Sequence, residues 1–389
     1  MPPPHSACTP IPVGVCMTLD SSRSDLLHPW AVRSEYLNQI HRVVVKLGTG
    51  VLTDAQKQPD LAQMRQLVAQ LASLRKRGLE VVLVTSGAVG SGMGVLGLQT
   101  RPTDLPAQQA CAAVGQSRLM STYEKLFKPH KLAVAQVLLT HEDLESHDRH
   151  FNARETLNEL LKRGVVPIIN ENDAVSVTEL KFGDNDKLSA LVATLLTADL
   201  LVILTTVEGV ISHFGEPDAR RLSLIENITV GIESLAGGTT SATAVGGMRT
   251  KIQAARIVVR AGIPLVIASG YKRHVLRSVL ACKDEGTLFS PDSRKLNSRR
   301  RWIAFFNRPQ GKLRVDEGAQ KALTSRPCSL LLPGLQRCDG DFVKGDVVSI
   351  CNLRGKEFAR GVVKYDAATL RAQELPSPVL IHRDDLIVL

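Results

Sequence analysis

From Arg42 onward the chain alternates between two hydrophobic patterns. The β-branched or unbroken apolar runs RVVVKLG, EVVLVTSG, KLAVAQVLLT, VVPIIN, LLVILTT and IPLVIASG predict strands. Between them, apolar residues recur every three or four positions in DLAQMRQLVAQLASLRKRG, LPAQQACAAVGQSRLMSTYEKLF, NARETLNELLKRG, the segment after DND, and TKIQAARIVVRAG, which predicts helices. Unbroken apolar strands are covered on both faces. Strand–helix–strand units of this length therefore give an α/β fold, a mainly parallel open sheet with helices on both faces. The stretch from Ala190 to Val207 is apolar for about the length of a membrane span, but Asp199 and several threonines interrupt it. It reads as a helix ending near Ala198 followed by a strand, and no membrane partner is expected.

After Ser290 the pattern shortens. RWIAFF, DVVSICN and GVVKY read as strands between Gly and Asp turns, with one helical patch near GAQKALTS, which together predict a small C-terminal β-barrel. The expected organisation is a Pro- and Ser-rich, disordered extension over residues 1–38, a sheet domain over 39–290 and the barrel over 297–389.

Composition narrows this picture. Aromatic residues are only 4% of the chain, so Leu, Val, Ile and Ala must build the cores. Seven cysteines are scattered without a Cys-x-x-Cys pair, which argues against zinc or redox chemistry and for a reduced, cytoplasmic setting. The apolar run from Ile11 to Met17 has no basic stretch before it, unlike a secretory signal. The net charge of +10 is local: residues 271–315 hold twelve Lys/Arg against three Asp/Glu. This basic stretch reads either as a solvated inter-domain segment or as a nucleic-acid contact.

In open parallel sheets ligands bind beyond the carboxyl ends of the strands, and four strand or loop ends carry chemistry. VVVKLGTG sets Lys46 beside Gly48 and Gly50, where an ammonium and exposed N–H groups could meet phosphate oxygens, or where an ordinary turn could form. VTSGAVGSGMGVLG offers Ser86 and five glycines in a spacing that is neither the Walker nor the Rossmann pattern, and it reads either as a functional loop at the strand end or as a flexible glycine linker. VVPIINENDAV and KFGDNDKLSA concentrate Asn170, Asn172, Asp173, Lys181, Asp184, Asn185 and Asp186. That set suits a ligand with an ammonium and carboxylates, or Mg²⁺ held through phosphate and water. AVGGMRTK puts Gly246, Gly247 and Lys251 at a helix start, a ready anion site. Two lysines and two glycine loops at one sheet edge suggest phosphoryl transfer. His141, His147 and His150 with Glu142 and Asp148 match no zinc template and read as a polar loop.

The ordered set KLGTG, TSGAVG, AAVGQSRLM, FNARETL, VPIINENDAV, FGDNDKLSALVA, GGMRTK and VDEGAQKAL resembles the glutamate 5-kinases of the amino-acid kinase family from about Arg42 to the C-terminus, and the tail is similar to a PUA domain. The resemblance implies ATP-dependent phosphorylation of the side-chain carboxylate of L-glutamate, with Mg²⁺. It implies that Lys46 and Lys251 flank the moving phosphoryl group, that Asp184 orients them, and that Ser86, Asn170, Asp173, Asn185 and Asp186 bind glutamate. Thr205, Thr206 and the run Val245, Gly246, Gly247, Met248, Arg249, Thr250 and Lys251 would hold the nucleotide together with Lys46. It further implies feedback inhibition by proline, a homo-oligomer and at most weak RNA binding through the tail. The chain departs from the family pattern at Thr206, where Asp is usual, at Val245 and Arg249, where Thr and Ser are usual, and at Gly50, which replaces a hydroxyl residue. Thr206 and Val245 keep open a catalytically weakened regulatory or RNA-binding relative, and a related carboxylate kinase acting on another amino acid is a further alternative.

Overall fold

A computed structural model describes residues 29–54, 59–176, 185–235, 247–291, 302–306, 309–372 and 377–389. Helix α1 (Pro29–Leu37) leads into β1 (Arg42–Leu47), the short α2 (Thr49–Leu52), α3 (Leu61–Lys76), β2 (Glu80–Val84), α4 (Ala88–Val95) and α5 (Leu105–Phe127). Then follow β3 (Val134–Leu139), α6 (His141–Glu145), α7 (His147–Lys162), β4 (Val166–Glu171), α8 (Asn185–Leu195) and β5 (Leu200–Thr205). The small strands β6 (Ile211–Ser212), β7 (Arg220–Arg221) and β8 (Leu224–Ile225) precede α9 (Val230–Leu235), α10 (Met248–Arg260), β9 (Leu265–Ser269), α11 (Val275–Leu280) and β10 (Thr287–Phe289).

The main sheet runs β3-β4-β2-β1-β5-β9-β10-β8. It is parallel from β3 to β9, and β10 turns antiparallel to β9. Strand alternation sorts its residues between two cores. Val44, Val82, Leu201, Ile203 and Ile267 face one layer with Leu188 and Leu191 of α8 and Ile252 and Ala255 of α10. Val43, Val45, Val81, Val202 and Val266 face the other, against Leu67 and Leu71 of α3, Leu119 and Tyr123 of α5, and Val279 of α11. Because side chains alternate along a strand, Lys46 falls on the same face as Val44 and so turns toward α8 and α10.

The smaller domain contains β11 (Gly311–Val315), a helix over Glu317–Ser325, β12 (Leu330–Leu331), β13 (Leu335–Gly340), β14 (Val347–Cys351), β15 (Glu357–Val362), a helix over Ala367–Ala372, β16 (Val379–Ile381) and β17 (Leu386–Val388). Five strands form a sheet ordered β13-β11-β14-β15-β17, in which only the β11–β14 pair is parallel, and β12 pairs with β16. Leu313, Val315, Ile350, Leu380 and Ile381 form its core.

Three expectations change. RWIAFF is not a strand but a π-helical turn, Trp302–Phe306. Winding lets neighbouring residues point in different directions: Phe306 joins the core of the larger domain, while Ile303 and Ala304 pack with Val347 and Ile387 of the smaller one. Arg360 Nη1 donates to Ala304 O at 3.0 Å, and the His150 ring stands edge-on to Phe306 at a centroid distance of 4.5 Å. His150 is therefore a packing residue, with Nδ1 3.2 Å from Leu144 O.

The glycine run after β2 is the second change, because most of it is helix α4 rather than a linker. A Cβ on Gly92 would lie 1.8 Å from Cys111 O, and one on Gly115 would lie 1.8 Å from Ala88 O, so the glycines let α4 and α5 touch backbone to backbone. Gly87 does need its own freedom: at φ 102 it turns the chain from β2 into α4.

The third change concerns residues 29–37, assigned by sequence to the extension, which form α1; residues 1–28 lie outside the described residues. Arg33, only 1% exposed, fastens α1 by donating to Lys283 O, Glu285 O, Ser223 O and Gly286 O at 2.8–3.2 Å and by pairing with Asp284 at 3.2 Å. Replacing it by alanine removes four hydrogen bonds and the ion pair to Asp284, although Lys283 O, Ser223 O and Gly286 O keep Glu285 N, Leu288 N and Arg221 as donors. Arg33→Ala is expected to cost about 2–3 kcal/mol of stability, measurable by urea unfolding.

Candidate active site

Lys46, one residue before the end of β1, lies on the face covered by α8 and α10 and is 2% exposed. Its Nζ lies 2.6 Å from Asp186 Oδ1. Asp186 is fully buried in the first turn of α8, where the helix N-terminus favours a carboxylate. Its other oxygen is 3.0 Å from Lys251 Nζ and 2.9 Å from Thr250 Oγ1, both in the first turn of α10. Thr250 Oγ1 is also 2.8 Å from O of Gly247, the N-cap of that helix. Two buried ammonium groups thus converge on the carboxylate of Asp186, beside the positive end of the α10 dipole. Two converging ammonium groups at a helix N-terminus favour an anion, so this arrangement suits an incoming phosphoryl group.

One residue before Asp186, Asn185 begins a second, uncharged network. Its Nδ2 donates to Thr85 O at the end of β2 and to Asn170 Oδ1 in β4 at 2.7 Å. Asn170 Oδ1 also accepts from Glu171 N at 3.0 Å, while Asn170 Nδ2 donates to Gln116 Oε1 of α5 at 2.8 Å. Thr85 Oγ1 is 2.7 Å from the hydroxyl of Tyr123, a fully buried phenol whose pKa burial pushes far up, so it stays a neutral hydrogen-bonding partner. Gln116, Ala88, Glu171, Asn172 and Asp173 line an open cleft of about 640 Å³ on this side of the sheet. Behind Asp186, burial lowers the pKa of Lys187, and Glu145 of α6 opposes that shift.

The sequence pattern of the amino acid kinase family matches residues 41–269 and that of the PUA domain matches residues 311–374. The chain belongs to the amino acid kinase family. Glutamate 5-kinase from Pelobacter propionicus is 43% identical over 373 residues, covering 92% of this chain and 100% of that protein. Glutamate 5-kinase from Moorella thermoacetica is 46% identical over 368 residues, covering 91% and 97%. A carbamate kinase from Giardia lamblia bound to AMP-PNP aligns with 66% of this chain and 100% of its own, at 19% identity and a TM-score of 0.48. The kinase groups with the glutamate 5-kinases and carries a PUA domain at its C-terminal end.

Among the site residues expected from the sequence of this amino acid kinase, Lys46, Thr250 and Lys251 meet around the carboxylate of Asp186. Asp184, expected to orient the lysines, lies outside the described residues, as do Val245 and Gly246. Asn170 and Asn185 share one network, while Asp173 lines the cleft and Ser86 stands half-buried after β2. Thr205 closes β5 beside Ser269 of β9; Thr206 and Arg249 are exposed, and Met248 is half-buried.

Two of the departures from the family pattern touch: a Cβ on Gly50 would lie 2.9 Å from Thr206 Cγ2. The β-branched Thr206 occupies the space that a side chain at residue 50 would need. Tyr271 Oη, half-exposed after β9, donates to Gly50 O at 2.7 Å and ties this rim together.

Sequence reading passed over Gln116, Thr85 and Tyr123. A signal for Gln116 existed. The buried positions of α5 include Cys111, Ala112, Gly115, Gln116, Leu119, Tyr123 and Phe127, and Gln116 is the amide on that otherwise apolar stripe.

Proposed function

We infer that this kinase transfers the γ-phosphate of ATP to the side-chain carboxylate of L-glutamate, giving L-glutamyl 5-phosphate for proline biosynthesis. The observation that carries this reading is the buried Lys46–Asp186–Lys251 cluster at the N-termini of α8 and α10, next to an amide network and a polar cleft. The named glutamate 5-kinases, alike over nearly the whole chain, supply the substrate class.

A glutamate carboxylate is already a nucleophile, so no general base is needed; the barrier lies in bringing two anions together. A carboxylate oxygen bonds to the γ-phosphorus while the bond to the β–γ bridging oxygen breaks and ADP leaves. Lys46 and Lys251, held apart and aimed by Asp186, neutralise charge on the transferring group. Glutamate would lie toward Asn170, Asp173 and Asn185, with Ser86 near its path, and the nucleotide toward Thr205, Thr206 and the α10 N-terminus.

Mg²⁺ fits this site as a companion of the nucleotide phosphates. Asp186 is committed to two lysines, so its oxygens do not begin an acidic cage, and Mg²⁺ commonly keeps water and phosphate ligands. Among the described residues the group of side chains that could hold a metal is His213, Glu216 and Asp218, exposed between β6 and β7. Bound Mg²⁺ would offset phosphate charge.

The proposal extends to a cytoplasmic homo-oligomer inhibited by proline, and to weak, salt-sensitive RNA binding by the PUA domain. No helix among the described residues is long and apolar enough to cross a membrane. The deciding assay traps the acyl phosphate with hydroxylamine. Hydroxamate that needs ATP, Mg²⁺ and glutamate supports the reading. A folded protein that forms none, or forms more with another amino acid in a substrate panel, refutes it.

A further inference from the structure

Gln116 presents a buried polar group that the phosphoryl-transfer scheme leaves unused. It is 7% exposed on α5, its Oε1 accepts from Asn170, and its Nε2 is buried without a hydrogen-bond partner among the described residues. Leaving an amide donor buried and unmet costs stability, and native proteins rarely tolerate it without a compensating role. What the residue gains by this conformation is an acceptor held against Asn170.

That acceptor sets a polarity. With Nδ2 drawn to Gln116, Asn170 must turn Oδ1 toward Asn185. Asn185 then directs both N–H bonds of Nδ2 inward, to Asn170 Oδ1 and Thr85 O. Its own Oδ1 is left as an acceptor with no partner among the described residues. If Asn170 turned over, an amine would face an amine, and Asn185 would lose the contact that fixes its orientation. The relay therefore runs from Gln116 through two amides to Oδ1 of Asn185, the residue before the Asp186 that holds both lysines.

We propose that Gln116 is a positioning residue for substrate recognition: its Oε1 fixes the polarity of Asn170 and Asn185, so that Asn185 Oδ1 accepts from the α-ammonium of the amino-acid substrate. The inference rests on the reading that Asn170 and Asn185 border the glutamate site.

The test uses the full chain and compares glutamate with glutarate, which has both carboxylates and lacks the ammonium. In Gln116→Met the acceptor is gone at similar volume. The KM for glutamate is expected to rise roughly tenfold, the size of one lost hydrogen bond to a charged group, while the KM for ATP and the inhibition constant of glutarate stay put. The unfolding midpoint should remain close to that of the wild type, because one unmet donor disappears as Asn170 loses one acceptor. Gln116→Glu keeps an oxygen for Asn170 in either protonation state and should restore most of the affinity for glutamate.

Equal losses for glutamate and glutarate, or a fall in the unfolding midpoint that accounts for the lost activity, would reduce Gln116 to a structural residue. A glutamate KM higher in Gln116→Glu than in Gln116→Met would assign the role to the Nε2 donor and overturn the relay. Asn185→Ala separates the two readings: if its glutamate KM is unchanged while Gln116→Met behaves as expected, the placement of glutamate at Asn185 fails and the inference fails with it, whereas kinase activity on glutamate still stands.

Discussion

Lys46→Ala should lower kcat by about 10²–10³ in the hydroxamate assay, the range seen when one preorganised donor to a developing charge is removed. The KM for glutamate should change little, because Asn170 and Asn185 are held by Gln116, Thr85 O and each other. The fold should persist. Asp186 keeps Lys251 and the Thr250 hydroxyl, so the carboxylate is not left bare. Lys46→Arg is not expected to rescue activity, since a planar guanidinium cannot reproduce a compact ammonium in a position only 2% exposed. Retention of more than a tenth of kcat in Lys46→Ala would mean that the lysine serves packing and charge balance alone.

Gly115→Ala carries the largest expected effect on stability. The new methyl would sit 1.8 Å from Ala88 O and 2.4 Å from Gly92 N, atoms of a helix backbone that cannot rotate away as a side chain can. Helices α4 and α5 must separate, and α4 begins where Gly87 turns the chain out of β2 beside Ser86. A loss of about 4 kcal/mol is expected, at the upper end for a single overpacking change, with a fall in the unfolding midpoint of order 10 °C. Activity should fall with it, because Ala88 and Gln116 line the same cleft. By contrast, Gly90 has open space around it, so Gly90→Ala should be tolerated. Equal behaviour of the two variants would contradict the close approach.

Much of the fold could be read from periodicity. The six long strands and the helices between them follow from β-branched runs and three-to-four spacing, and α5 spans Leu105–Phe127, the segment the pattern marks out. Lys46 could be placed on its face by counting from Val44. The misreadings have a common cause. In α4 the glycines look like a linker because propensity reports only the local cost of glycine in a helix, whereas contact with α5 repays it. In RWIAFF an apolar run looks like a strand, yet its residues divide between two cores.

The site shows the same division. Sequence alone brought forward Lys46, Lys251, the INENDAV and GDND segments and the glycines before α10, because charged and amide residues at strand ends have no packing reason to be there. It also determined the α/β class and the presence of a second, β-rich domain. That Asp186 reaches both lysines was decided only in three dimensions. Asp186 lies 140 residues from Lys46 and 65 from Lys251, and no spacing rule connects them. Likewise, only packing turned Gln116 from a polar residue on an apolar stripe into one end of an amide relay. Hydrogen-bond polarity is a property of partners that chain order keeps apart and that only the folded sheet brings within 3 Å.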